Sequence, residues 1–226
     1  MRSIGILTVA LAAAAIIGCD RKNANDTTRT DSAVGTAGQA DRKVSRADKS
    51  FVHEMAIANM AEVELAKLVS ERSTDTEVKK FAQLMIDDHT KSANALAAIA
   101  TQHNIPLPTE LDGKHTRLRN KIAKWHGNEF DRAYMDAMVD EHEDILDELE
   151  PRVDEKTLAE YKAEMDDRVT GKKAVEQSQL VAIIPEKSDN PVTMSLNEWA
   201  AEAYPVVQAH LQAARVLDKA LKRSGK

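Results

Sequence analysis

Four long stretches of this chain repeat apolar residues at the 100° step of an α-helix, and each stripe holds one potential metal ligand near its middle. In the first, Phe51, Met55, Ala58, Leu65 and Val69 share a face, with Ser50 as the expected N-cap. The second carries Val78, Phe81, Ala82, Met85, Leu96, Ile99 and Ala100, and is expected to stop near Asn104 because Pro106 and Pro108 follow. The third opens with Asn128 as expected N-cap and Asp131 on the first turn. It presents Tyr134, Met135, Met138, Ile145, Leu146 and Leu149, and Pro151 marks its end. The last begins near Ser195 and presents Leu196, Trp199, Ala203, Val207, Ala214, Leu217 and Leu221, with a kink expected at Pro205.

Between the second and third stretches, Leu111, Leu118, Ile122 and Trp125 predict a short capping helix that ends at Gly127. Residues 151–193 read as an insertion: Leu158, Tyr161, Met165 and Val169 suggest one more helix, and the apolar run 179–185 is either extended or buried. The predicted fold class is therefore all-α, a four-helix bundle with a capping helix and an insertion before its last helix. A coiled-coil rod is the alternative, but no heptad is sustained long enough to favour it.

The ligands on the four stripes are Glu62, between Ala58 and Leu65; His89, between Met85 and Leu96; His142, between Met138 and Ile145; and His210, between Val207 and Ala214. Burying a carboxylate or an unpaired imidazole costs several kcal/mol, so these groups need partners, and the nearest are one another. Two readings follow. One is a transition-metal ion held by three imidazoles and one carboxylate, with Asp88 and Glu141 accepting from ring N–H groups. The other is a Glu–His hydrogen-bond network that fixes helix register without metal. The pairs Met85/His89 and Met138/His142 at i,i+4 add a copper variant, although methionine is also a common gap-filler in helical cores. A di-iron centre would need Glu-x-x-His, whereas Ile86, Val139 and Val207 stand three residues before the histidines. His53, His103, His115 and His126 are read as surface residues, and no catalytic residue is assigned. The chain has no phosphate loop and no Gly-x-Ser-x-Gly elbow.

The N-terminus reads as an export signal. Arg2 precedes an apolar run from Ile4 to Ile17, which is too short for a bilayer span of about 20 residues. Ile16-Ile17-Gly18-Cys19 resembles a bacterial lipobox, and Cys19 is the only cysteine in 226 residues. Residues 1–18 are thus the expected lipoprotein signal peptide, Cys19 the lipid attachment site and 19–46 a flexible tether. About thirty such residues span roughly 30 Å as a coil. Residues 47–226 form the expected domain. A net charge of −6, without basic clusters interleaved with aromatics, argues against a nucleic-acid partner. The expected place is the cell envelope, facing the periplasm from the inner or outer membrane.

The segments 51–68, 78–96, 127–146 and 203–217, with Glu62, Asp88-His89, Phe130-Asp131, Tyr134, His142, Pro205 and His210, resemble the bacterial family called domain of unknown function 4142. The resemblance covers about residues 51–150 and 195–220, and departs at 151–193, where the family's connection is much shorter. It implies a ferritin-like helical fold, export to the envelope and no established activity. The expected function is a membrane-tethered, non-catalytic metal-binding or metal-sensing module. The rival is a structural protein that meets an envelope partner through its acidic faces or the insertion, and a redox enzyme using the same core is a third, weaker reading.

Overall fold

The computed structural model describes residues 44–171 and 180–224. The signal peptide, Cys19 and the tether as far as residue 43 lie outside the described residues, as does Gln179 at the head of the apolar run. The fold is all-helical: α1 (Arg46–Arg72), α2 (Thr76–Gln102), α3 (Gly113–Ile122), α4 (Gly127–Leu149), α5 (Glu155–Val169) and α6 (Pro191–Ser224), with a 3-10 turn at Glu150–Arg152. Among the described residues there is no strand, only an isolated bridge between Val153 and Pro185.

Short polar side chains start most of these helices by accepting from free N–H groups of the first turn. Asp75, Asp112 and Asp154 cap α2, α3 and α5, and Asn190 accepts from Val192 N at the head of α6. Two expected caps are corrected. Ser45, not Ser50, caps α1: its Oγ accepts from Asp48 N at 2.9 Å and donates to Asp48 Oδ2 at 2.7 Å. Ser50 lies inside the helix and donates to Glu54. Asn128 is likewise inside α4, which begins at Gly127 with a φ of +55°, a conformation that glycine adopts without a Cβ penalty. Pro191, at the first position of α6, starts that helix four residues before Ser195, and the helix is continuous through Pro205.

The four long helices close a ring of contacts in the order α1, α2, α6, α4, and α3 lies against α1 and α4. Their apolar faces form two clusters. The first gathers Phe51, Met55, Leu96, Leu149, Leu196 and Trp199. The second gathers Leu65, Phe81, Met85, Tyr134, Met138 and Ala214. On every long helix the polar residue of the stripe stands between the two: Ala58 and Leu65 flank Glu62, Met85 and Leu96 flank His89, Met138 and Ile145 flank His142, and Val207 and Ala214 flank His210. The order of clusters along each helix shows that α1 and α6 run one way and α2 and α4 the other.

The connection 151–193 packs on the first cluster through Leu158, Tyr161 and Met165, with Tyr161 edge-on to Tyr204 at 6.0 Å. Val169 is 60% exposed and Trp125 44%, so neither joins its expected stripe. The apolar run is extended: Asp154 N donates to Ile184 O, and Glu186 N to Arg152 O, each at 2.9 Å. Both ends of this connection are fastened to buried Asp48, which accepts from Arg152 Nη1 at 2.7 Å and Thr193 Oγ1 at 2.9 Å. The Arg152 guanidinium also sits 4.2 Å from the centre of the Phe51 ring. Removing Asp48 leaves Arg152 largely buried without its counter-charge. Asp48→Ala is therefore expected to lower the unfolding free energy by about 3 kcal/mol in urea denaturation; a loss below about 0.5 kcal/mol would mean the clasp contributes nothing.

Candidate metal centre

Glu62, His89, His142 and His210, one from each long helix, meet in the layer between the two apolar clusters. All are buried: Glu62 is 1% exposed and His142 0%. Glu62 Oε2 lies 2.8 Å from His89 Nε2, and Oε1 lies 3.2 Å from His142 Nδ1. The three rings have centroids 5.5–5.6 Å apart. One nitrogen from each imidazole lies within 4.8 Å of the others, close enough for small side-chain shifts to bring all three onto a single ion.

One nitrogen of each ring is tied to an acceptor, and this decides what the other can offer. His142 Nδ1 donates to the Met138 carbonyl at 2.7 Å, and His210 Nε2 donates to Asp88 Oδ2 at 2.9 Å. His89 Nδ1 donates to Asn59 Oδ1 at 3.1 Å, and the Asn59 amide is oriented by its own bond from Nδ2 to the Met55 carbonyl. With these protons placed, His142 Nε2 and His210 Nδ1 keep buried lone pairs without a hydrogen-bond partner, while His89 Nε2 faces Glu62 Oε2 at 2.8 Å, where a proton on the ring would lie. The two Glu62 oxygens face ring nitrogens, Oε2 that of His89 and Oε1 the Nδ1 of His142, in ion-pair contact without a well-aligned hydrogen bond. A carboxylate and two unpartnered imidazole nitrogens thus share one buried volume with the His89 ring, a set that a proton on His89 or a metal cation could satisfy.

Charge in this layer follows from geometry. Burial pushes the Glu62 carboxyl up, but the charges of His142 and His89 outweigh burial and carry it down to about 2. Burial and His142 hold His210 down at about 4, and burial also lowers His142. Burial opposes a proton on His89 too, yet the Glu62 charge raises it, so any proton held by the cluster sits there. Tyr134, buried with its hydroxyl unpartnered, is pushed well up by burial and by the Glu62 charge.

Four residues were expected around the ligands. Asp88 is an acceptor, and the ring it serves is that of His210 on the adjoining helix α6. Glu141 faces away from the centre and accepts from His115 Nε2 at 3.0 Å. The reason is common to both: consecutive helical residues point about 100° apart, so a residue next to a ligand looks toward another helix. Met85 and Met138 pack in the second cluster, and Met138 serves His142 through its carbonyl. His115 is not a surface residue. It is buried between Asp112 Oδ1 at 2.6 Å and Glu141, whose hydrogen bond, with that of Asp112, raises its pKa. Asn59, passed over in the sequence, stands three residues before Glu62 on the same face.

Fold and site together define an all-helical protein with three buried histidines that could hold a metal ion and a buried carboxylate in contact with two of them. The model of the family described as Domain of unknown function (DUF4142) matches residues 33–179, and the chain belongs to that family. The matched span includes Glu62, His89 and His142 and runs into the 151–193 connection, whereas Pro205 and His210 lie beyond it. Comparison with curated proteins and with solved structures found no match.

His210 has a pKa of about 4 in the fold and 6.5 ordinarily, so it binds a proton more tightly when unfolded. Its contribution is present above about 6.5 and is lost as pH falls toward 4, on the order of 3 kcal/mol over that window. In metal-free protein, His210→Gln is expected to flatten the pH dependence of unfolding free energy between these values. Parallel profiles for the two proteins would show that His210 is not held neutral.

Proposed function

We propose that this protein is a membrane-tethered envelope protein whose ferritin-like four-helix bundle holds one transition-metal ion, in a binding or sensing role and not a catalytic one. The observation that carries the reading is the meeting of three buried imidazoles, His89, His142 and His210, with one nitrogen of each within 4.8 Å of the others, beside the Glu62 carboxylate, each ring also bonded to Asn59, Met138 or Asp88. Three imidazoles and a carboxylate suit zinc, iron or manganese. The bundle reading is supported by the antiparallel ring of long helices and by the crossover from α2 to α4 through α3, which leaves those two helices parallel.

The 2.8 Å contact between His89 and Glu62 favours a second reading, in which a proton on His89 stands where the ion would be and the cluster only sets register. Then the acidic faces or the 151–193 connection would meet an envelope partner. The two differ in one measurement. Tag-free protein is expected to contain about one equivalent of a single metal, to lose it in His89→Gln/His142→Gln, and to gain about 3 kcal/mol of stability at a hundredfold excess over the dissociation constant. Binding also releases a proton. Metal-free protein whose melting temperature ignores added zinc, iron, manganese and copper would leave the network reading standing.

The tether rests on Arg2, the apolar run and Ile16-Ile17-Gly18-Cys19, and among the described residues no helix is long and apolar enough to cross a membrane. Cys19→Ala is expected to move the protein from the membrane to the soluble fraction of fractionated cells; a variant that still partitions with membranes sinks the lipid anchor.

A further inference from the structure

The candidate centre is closed on most sides and approached on one. Toward α1 and α4 it is flanked by fully buried side chains, Leu65 of α1 and Tyr134 and Met138 of α4 among them. Between α2 and α6 lies a cleft of about 140 Å³ whose lining includes the imidazoles of His89 and His210. Behind it a void of about 20 Å³ shares His89, Ser92, Trp199, Ala203 and Val207 with the cleft and reaches Asn59. Space exists here because α2 and α6 face each other through small residues, Ser92 and Ala95 on one side and Ala203 on the other. The Trp199 ring forms one wall, held by a bond from Nε1 to the Ser92 carbonyl at 3.3 Å and by the edge of Phe51 at 5.8 Å.

Size and charge limit what this space accepts. A volume of about 140 Å³ holds a few small molecules, each of water's liquid volume of about 30 Å³, and excludes a peptide or an organic cofactor. The walls are apolar: Trp199, Ala203, Val206 and Val207. The charged groups of the lining are two acids, Asp88 and Glu202, and one base, Lys91, a net negative balance that disfavours small anions. Three imidazoles and one carboxylate leave a five- or six-coordinate ion at least one free position.

Resting on the metal reading above, we propose that the α2–α6 cleft admits a small neutral molecule, of the size of dioxygen or hydrogen peroxide, to the free coordination position of the ion held by Glu62, His89, His142 and His210. Metal-bound wild-type protein is then a binder of small neutral ligands, gated by the side chains at 92, 95 and 203.

The test uses the full chain loaded with cobalt(II), which takes the same nitrogen and oxygen ligands and reports its coordination in its visible absorption. Nitric oxide is the neutral probe and azide the anionic one. Nitric oxide is expected to shift the cobalt bands, and azide at equal concentration to leave them unchanged. Ala203→Phe, which fills the cleft, is expected to keep its cobalt and bind nitric oxide at least about tenfold more weakly. Ala95→Phe, at the exposed mouth, gives the same reading if the first variant does not fold. Cobalt bands that ignore nitric oxide, an equal response to azide, or an undiminished response in cobalt-loaded Ala203→Phe and Ala95→Phe each overturn the inference. Wild-type protein that takes up no cobalt overturns the metal reading itself, and the inference with it.

Discussion

A carboxylate sealed at 1% exposure among three imidazoles is the constraint on which the rest of the molecule depends. An isolated buried charge costs several kcal/mol, and Glu62 recovers that only if His89, His142 and His210 all arrive at one level. Each comes from a different helix, so the electrostatic requirement is also a register requirement. Turning or sliding any helix by one residue moves its ligand about 100° off the centre and brings an apolar or solvent-seeking side chain in its place. Apolar packing alone tolerates such slips far better than a polar layer does.

The outer acceptors extend the constraint by one shell. Asn59 and Met138 hold rings of other helices or their own from inside the bundle, while Asp88 reaches across from α2 to α6. Because Met138 and Asp88 each accept a ring proton, the lone pairs of His142 Nε2 and His210 Nδ1 are set in place for the ion proposed above. The arrangement thus lowers the reorganisation that binding would otherwise require.

Much of this could be read from the chain. The four stripes and their single polar residues were legible because a helix writes its buried face into the sequence with a fixed period, and that period located Glu62, His89, His142 and His210 on one layer before any coordinates. Asn59 carried the same signal, on the face of Glu62, but as an uncharged residue it gave no reason to stop. Ser45 was hidden because the polar tract before α1 has the composition of a tether, so a capping pair with Asp48 did not stand out. His115 was illegible in principle: its partners come from the turn before α3 and from α4, and only the tertiary fold brings Glu141 to it. The clasp from Asp48 to Arg152 and Thr193 spans more than a hundred residues and has no local signature either.

The division of the apolar interior into two clusters has a consequence for cooperativity. Each cluster takes side chains from all four long helices, a polar residue stands between them on every stripe, and Val139 of α4 packs against both. Besides Val139, the two halves are joined through four polar side chains whose mutual attraction depends on what they share. The occupant of the centre therefore sets how strongly one end of the molecule reports the unfolding of the other. Four groups drawn onto a common cation would tie all four helices at that level; a proton between Glu62 and His89 ties chiefly α1 to α2, and the ends gain freedom to open separately.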